Sequence, residues 1–361
     1  MKVCGDRFMR LLLVDYLGNS SKDGKPIGHS IKVLKEYVEL LINDFTIGIA
    51  APKNVINETK EMDVEKIILP LYICIDENDN LKKADVVKEN LDTVLKIKGY
   101  DIIWFYAIDN SLYSWIIMHP SLYKRSICTV YQEKFSSRKT TILYWILKKK
   151  IGLIVSTCAQ TGNQRALILP DYYYKDEIYN RKKMSKKNYV ICVGTIGPEK
   201  QLEKIIPLFN SNHYQLKIVG HFRDSIRFEN LNRNSNNNIL IEDTYLSEDE
   251  YICTLKEARF AILPYDIKSY KNRTSGVLQE CVFLNTIPIA PKALLEYNRI
   301  PGIFLEELYE GRINLDEIDC LSYYKKYDKL VETVFNKEII HHSLVNRISA
   351  ISNIKKSNTG E

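Results

Sequence analysis

The chain has 361 residues, enough to bury two cores rather than one. Its 45% apolar and 27% charged content excludes a disordered, collagen-like or disulfide-framework chain. A net charge of +6 is too weak to imply a nucleic-acid partner, although it admits a small anionic one.

The eight cysteines are scattered, with no C-x-x-C pair, which speaks against a structural zinc or a redox motif. Free thiols inside apolar runs point to a reducing, cytoplasmic setting. No apolar run reaches the ~18 residues of a membrane span. The first residues lack the apolar core of a signal peptide, and Met9 reads as a more natural start than the first eight residues.

Strand and helix signals alternate along the chain, which predicts parallel sheets covered by helices. Leu11–Val14 is a fully apolar run, as a buried parallel strand should be, and it ends at Asp15. A polar loop containing Gly28 follows. Then Ile31, Leu34, Val38, Leu41 and Ile42 recur with helical period. Further strands are expected at Thr46–Ala50, Lys66–Leu69, Tyr72–Ile75, Ile102–Phe105, Ser114–Met118, Cys128–Tyr131, Leu153–Val155 and Ala166–Leu169.

A basic polar stretch, residues 180–188, follows a tyrosine-rich segment and precedes a new buried strand. This composition shift divides the chain into a first domain over residues 1–182 and a second over 183–335. A helical tail, 336–361, is expected to pack back on the first domain.

The second domain carries the clearest chemistry. Tyr189–Lys200 (YVICVGTIGPEK) reads as a strand, a Gly turn and a helix beginning at Pro198. Gly194 lets backbone approach a ligand, and a helix N-terminus favours an anion. Lys200 in that first turn opposes the helix dipole, which an anionic ligand would explain; the alternative is a solvated surface lysine. Arg273–Gly276 (RTSG) opens another helix, with Ser275 as a cap and Gly276 giving close access. Arg273 adds a bidentate donor for phosphate oxygens, or is simply an exposed arginine. Glu280 sits one turn into an otherwise apolar helix and requires partners, which sugar hydroxyls or a nearby lysine would supply.

Taken together, VGTIGPEKQLEKII, LKIVG, YLSEDE, AILPY, RTSGVLQE and TIPIA resemble the donor half of GT-B glycosyltransferases, especially those of family 4. The resemblance covers about 100 residues closely and the first half in outline. It implies an α/β GT-B fold, two Rossmann-like doubly wound domains facing a central cleft. In that family the Gly turn and helix start bind the donor diphosphate, which corresponds to Gly194, Thr195 and Lys200. The nucleoside ribose is held by a glutamate corresponding to Glu280, and the loop bearing Tyr245 lies near the base. Two positions depart from the family. Thr195 stands where an arginine is usual, and Arg273 is placed to supply that cation. Asn272 stands where a glutamate contacts the donor sugar. In the first domain, Gly28, His29 and Ser30 resemble the loop that faces the donor phosphates.

His119 follows the apolar run Trp115–Met118 and is expected at a strand's carboxyl end, where α/β ligands gather. His29, His119 and Asp15 are therefore the candidate bases for an inverting reaction. A retaining reaction needs none of them. No Asp-x-Asp stands at a strand end, so no metal is expected. No cofactor is expected either, beyond a UDP- or GDP-linked sugar as substrate. Residues 139–150 mix apolar, aromatic and basic residues. They read either as an interfacial helix on anionic lipid or as a core helix with solvated lysines.

The expected function is transfer of a hexosyl group from a nucleotide-diphosphate donor to a saccharide or lipid-linked acceptor, in surface polysaccharide assembly. Two alternatives stand beside it: a catalytically degenerate nucleotide-sugar-binding protein, and an epimerase acting on the same donors.

Overall fold

The computed structural model describes residues 8–21, 23–27, 30–74, 80–106, 110–131, 138–157, 159, 163–181, 185–210, 213–270 and 273–357. Gly28, His29 and Asn272 lie outside them. The chain divides into two compact units. One comprises Met1–Thr157, Thr161–Asp171 and Glu338–Glu361; the other comprises Cys158–Gln160 and Tyr172–Lys337.

The first unit contains strands β1 (Arg10–Val14), β2 (Thr46–Pro52), β3 (Glu65–Leu69), β4 (Ile102–Phe105), β5 (Ser126–Val130), β6 (Leu153–Ser156) and β7 (Leu167–Ile168). Its helices are α1 (Ser30–Leu41), α2 (Lys53–Asn57), α3 (Asn80–Lys96), α4 (Asn110–Met118) and α5 (Arg138–Leu147). The described strands form one parallel sheet in the order β3-β2-β1-β4-β5-β6-β7. Its central strands are largely apolar because helices cover both faces. Leu12, Val14, Ile103, Phe105, Cys128 and Val130 pack with Val87, Leu91, Leu112 and Ile116 of α3 and α4. On the alternate positions, Trp104 stacks on Tyr37 of α1 at 4.4 Å and its indole donates to Thr129.

Three expectations change here. Ser114–Met118 lies in helix α4 rather than a strand, with Leu112, Tyr113 and Ile116 buried at helical spacing. A short apolar run has no period of its own, so flanking residues decide between the two. Tyr72–Ile75 forms no strand among its described residues; Cys74 makes an isolated bridge to Ser20. Helix α3 was not expected; its buried side is Val86, Val87, Leu91 and Val94.

The main run of the second unit begins at Tyr172, ahead of the basic stretch, because the tyrosines are core rather than linker. Tyr172, Tyr173 and Tyr179 are buried, and Tyr179 packs on Phe283 at 4.8 Å. In chain order its elements are α6 (Asp176–Tyr179), β8 (Lys187–Val193), α7 (Leu202–Phe209), β9 (Gln215–Gly220), α8 (Ser225–Arg233), β10 (Ile239–Asp243) and α9 (Glu248–Glu257). There follow β11 (Ala258–Ile262), α10 (Ile267–Tyr270), α11 (Gly276–Phe283), β12 (Ile287–Ala290), α12 (Lys292–Asn298), β13 (Ile303–Phe304), α13 (Leu305–Tyr309) and α14 (Cys320–Thr333). The described strands form a parallel sheet ordered β10-β9-β8-β11-β12-β13. The closing helix α15 (Lys337–Ser357) belongs to the first unit from Glu338 onward, where His341 meets Asp44 at 2.7 Å.

Both strand orders reverse direction beside their first strand. Ligands of open α/β sheets bind outside the carboxyl ends of strands at that reversal. The places to search are therefore the ends of β1 and β4 in the first unit, and of β8 and β11 in the second.

Candidate functional site

The end of β8 carries the Gly194 turn. Gly194 has φ 89°, a conformation that costs glycine little and other residues much. Ile196 then pairs with the loop after β9, its N–H donating to the His221 carbonyl at 2.8 Å. Helix α7 starts at Leu202, so Lys200 precedes it rather than lying in its first turn. Residues 197–200 instead bend across the strand reversal, and Lys200 makes an antiparallel bridge to Tyr265 just past β11.

The bend turns the Lys200 side chain inward. It is buried, and its ammonium donates to the Val193 carbonyl at 2.6 Å. A Cβ placed on Gly194 would lie 3.8 Å from that nitrogen, so charge sits directly beneath the Gly turn. Burial pushes the Lys200 ammonium below its ordinary range, while Cys192 and Glu199 draw it back up. The solvated-lysine reading does not hold.

Arg227 holds this bend in place. Asp224 caps α8, accepting from the backbone of Ile226 and Arg227, which fixes where the helix begins. The Arg227 guanidinium then donates to the carbonyls of Gly197 and Lys200, each at 2.6 Å, and pairs with Glu203 at 2.7 Å.

Beside the bend lies a cleft of about 580 Å³, lined by Glu199, Gln201, Arg223, Asp266, Tyr270 and Arg273. Arg273 is exposed and lies 5.0 Å from the centre of the Tyr270 ring. Tyr270 stacks on Tyr265 at 3.8 Å, and Lys200 lies 5.9 Å from the Tyr265 ring. Two cations distant in sequence are thus joined through a pair of stacked rings. Arg223, Tyr265 and Tyr270 were not foreseen; the two tyrosines spaced closely after β11 were the available signal.

Ser275 occupies the N-cap position of α11, yet its side chain makes no bond to the helix backbone. It is buried near Tyr265, whose phenol is pushed well above its ordinary range by burial and Tyr270, with Ser275 opposing them. The helix opening therefore has no side-chain cap. Gly276 leaves room for Tyr172: an added Cβ would lie 3.0 Å from its ring. One turn on, Glu280 is buried and accepts from the Tyr251 hydroxyl at 2.6 Å. Burial and the Glu280 charge push the Tyr251 phenol well above its ordinary range. Tyr251 is aimed by local sequence: Ser247 and Glu250 form a capping box that sets the start of α9. One partner of Glu280 is thus a tyrosine of the same unit, where sugar hydroxyls or a lysine were expected. Tyr245 follows β10, is exposed, and stacks on His221 at 4.2 Å. Thr195 is half-buried beside Gly194.

In the first unit, Asp15 stands at the end of β1, next to the strand reversal. It is 3% exposed. Oδ1 accepts from the Leu17 and Gly18 N–H groups at 3.1 Å, and Oδ2 has no hydrogen-bond partner among the described residues. Burial raises its pKa; the Gly18 and Leu17 N–H groups, and more weakly the Ser30 hydroxyl, oppose this. His119 is placed differently from expectation. It follows helix α4, which runs back from the end of β4, so it lies at the amino-terminal edge of the sheet. Its Nδ1 donates to the Trp115 carbonyl at 2.8 Å and its ring lies on Trp115 at 4.3 Å. Both contacts suit a structural histidine, and the premise that carried its catalytic reading is gone.

Among the described residues, no three His, Cys, Asp or Glu side chains come together in a way that could hold a metal ion. No helix there is long and apolar enough to cross a membrane.

No protein-family model matches the chain, and no curated protein matches its sequence. Solved structures do match in fold. Anabaena HepE, crystallised with UDP and glucose, is 12% identical with a TM-score of 0.66, over 95% of this chain and 100% of that one. The α,α-trehalose-phosphate synthase (UDP-forming) of Burkholderia vietnamiensis is 8% identical with a TM-score of 0.63, over 97% and 99%. AviGT4, a glycosyltransferase involved in avilamycin A biosynthesis, is 10% identical with a TM-score of 0.56, over 95% and 98%. At such identities the likeness is one of fold. With its two parallel sheets in Rossmann strand order, the chain has the α/β GT-B fold class that these structures share.

Proposed function

We propose that this protein is a glycosyltransferase that takes a hexosyl group from a UDP- or GDP-linked donor. One observation carries the reading: the Lys200 ammonium is held beneath the Gly194 turn at the strand reversal, beside a cleft bearing Arg223 and Arg273. Diphosphate is the ligand chemistry that suits a glycine approach, an uncapped helix start and several cations at one place. Two of the similar folds are described with UDP or as UDP-forming, which supports a nucleotide-sugar donor.

In this reading the diphosphate lies over Gly194, Thr195 and the Ser275–Gly276 opening, and Tyr245 offers its exposed ring to the base. Glu280 takes the ribose hydroxyls, with Tyr251 holding the carboxylate in place. By its place in the sequence, Asn272 is the candidate for the contact to the donor sugar. When the glycosidic bond breaks, negative charge grows on the leaving diphosphate. Lys200, Arg223 and Arg273 stabilise that charge without a metal or further cofactor, and they act strongly because they are already in place. If the anomeric centre inverts, Asp15 is the base that takes the acceptor proton, with His29 as the other candidate. The acceptor is a saccharide or a lipid-linked saccharide, and the step belongs to surface polysaccharide assembly on the cytoplasmic side.

Titration calorimetry with UDP and GDP tests the donor site. Lys200→Ala is expected to weaken nucleotide binding by roughly 1.5–3 kcal/mol, the worth of a charge-assisted contact. Unchanged affinity would take Lys200 out of the site. Turnover with a panel of nucleotide sugars and acceptors then tests the reaction. Tight binding without transfer to any acceptor would leave a binding protein, and a changed sugar on the nucleotide an epimerase.

A further inference from the structure

Helix α5 is apolar on two opposite sides. Thr140, Tyr144 and Leu147 are buried and set its inner side. At ~100° per residue, Ile142, Trp145 and Ile146 fall on the outer side. They are 59%, 57% and 36% exposed. A surface helix ordinarily gives that side to polar groups, and the core of the unit does not account for these three.

The flanks are of one sign. Arg138 and Lys139 open the helix, Lys148–Lys150 follow it, and residues 138–150 contain no Asp or Glu. Lys149 lies 4.7 Å from the Trp145 ring centre and Lys148 6.0 Å from that of Tyr144. Their aliphatic stems run beside aromatic rings, which leaves the ammonium groups at the border of the apolar strip. Complementing the helix dipole would explain the lysines but not the exposed isoleucines and tryptophan.

We infer that the outer face of α5 docks on an anionic lipid bilayer. The helix lies in the headgroup plane, Ile142, Trp145 and Ile146 enter the acyl boundary, and the basic residues at both ends meet lipid phosphates. The strip is one helix wide, whereas a stable protein interface needs on the order of 800 Å² per partner. Positive charge at both ends of an apolar strip matches a continuous anionic plane, and tryptophan favours such an interface.

The chain has three tryptophans, and Trp104 and Trp115 are buried, so a change in emission on docking reports Trp145. The full chain is mixed with phosphatidylglycerol-containing vesicles or with pure phosphatidylcholine vesicles, then sedimented. Co-sedimentation and a blue shift are expected with the anionic vesicles only, both weakening at high salt. Replacing Lys148, Lys149 and Lys150 by Gln is expected to lower partitioning on the order of 100-fold. Ile142→Ser with Ile146→Ser is expected to abolish the blue shift while Trp145 remains as reporter. The inference is overturned by absence of co-sedimentation at low salt, by equal binding to phosphatidylcholine, or by unchanged binding in both variants. Far-UV circular dichroism and the urea unfolding midpoint serve as the control for folding in each variant.

Discussion

The rings of Tyr265 and Tyr270 lie stacked, their centres 3.8 Å apart and their planes 2° from parallel. Lys200 approaches one ring and Arg273 the other. The stack therefore sets the spacing of two cations that the proposed function places on one diphosphate.

Removing one ring tests this spacing. Tyr270→Leu takes away the face on which Arg273 rests, a cation–π contact worth about 0.5–1 kcal/mol at an exposed site. Nucleotide affinity by calorimetry is expected to fall by that amount, with the unfolding midpoint in urea little changed. Tyr270→Phe keeps the ring and is expected to bind as the parent does. Equal losses in the two variants would implicate the hydroxyl instead.

Arg227 does not itself line the cleft, yet it ties down the 197–200 bend through two carbonyls. A lysine cannot reproduce that planar fork. Arg227→Lys is expected to cost roughly 1–3 kcal/mol of stability and to weaken UDP binding as well. In a denaturation series with and without UDP, a stability loss at unchanged affinity would make Arg227 a residue of the fold alone.

Tyr251→Phe leaves the buried Glu280 carboxylate short of one donor. The expected cost is roughly 1–3 kcal/mol in urea unfolding, the worth of one hydrogen bond to a buried charged group. Bound nucleoside should restore part of it if ribose hydroxyls reach Glu280. A uridine-independent loss of stability would argue against ribose at this carboxylate.

Asp15 makes a prediction about pH. Its folded pKa is raised, so the folded state holds a proton at pH values where the unfolded state has released it. Stability therefore falls as pH climbs from the ordinary carboxylate range through the raised folded value, and stays lowered above it. Asp15→Asn lacks this penalty. The variant should gain on the parent over that window. If Asp15 is the base of an inverting transfer, the same variant loses about 10²–10⁴-fold in kcat/KM with donor binding intact. Full activity would exclude Asp15 from the chemistry.

Much of this architecture is legible in the sequence because buried parallel strands are continuous apolar runs. Leu11–Val14, Tyr189–Val193 and Phe260–Ile262 stand out for that reason. Ser114–Met118 misleads because an apolar run of that length suits either a strand or a helix buried on several sides. Lys200 and Arg273 were legible as cations next to glycine turns. Arg223, Arg227 and Tyr251 were not, since nothing in their own segments signals the partners they reach.

The sequence by itself determined the two α/β units, the Gly194 turn, the RTSG helix opening and the basic-aromatic character of residues 139–150. Each is local: a periodicity, a turn residue or a cap within a few positions. Only the tertiary structure decided that Lys200 points inward beneath Gly194, that Tyr251 holds Glu280, and that His119 lies at the sheet edge opposite the strand ends. It alone also exposed Ile142, Trp145 and Ile146 on one side of a helix whose other side is core. Those outcomes depend on which segments the strand order brings side by side, and on which face of a helix the sheet covers. Neither follows from the spacing of residues along one stretch of chain.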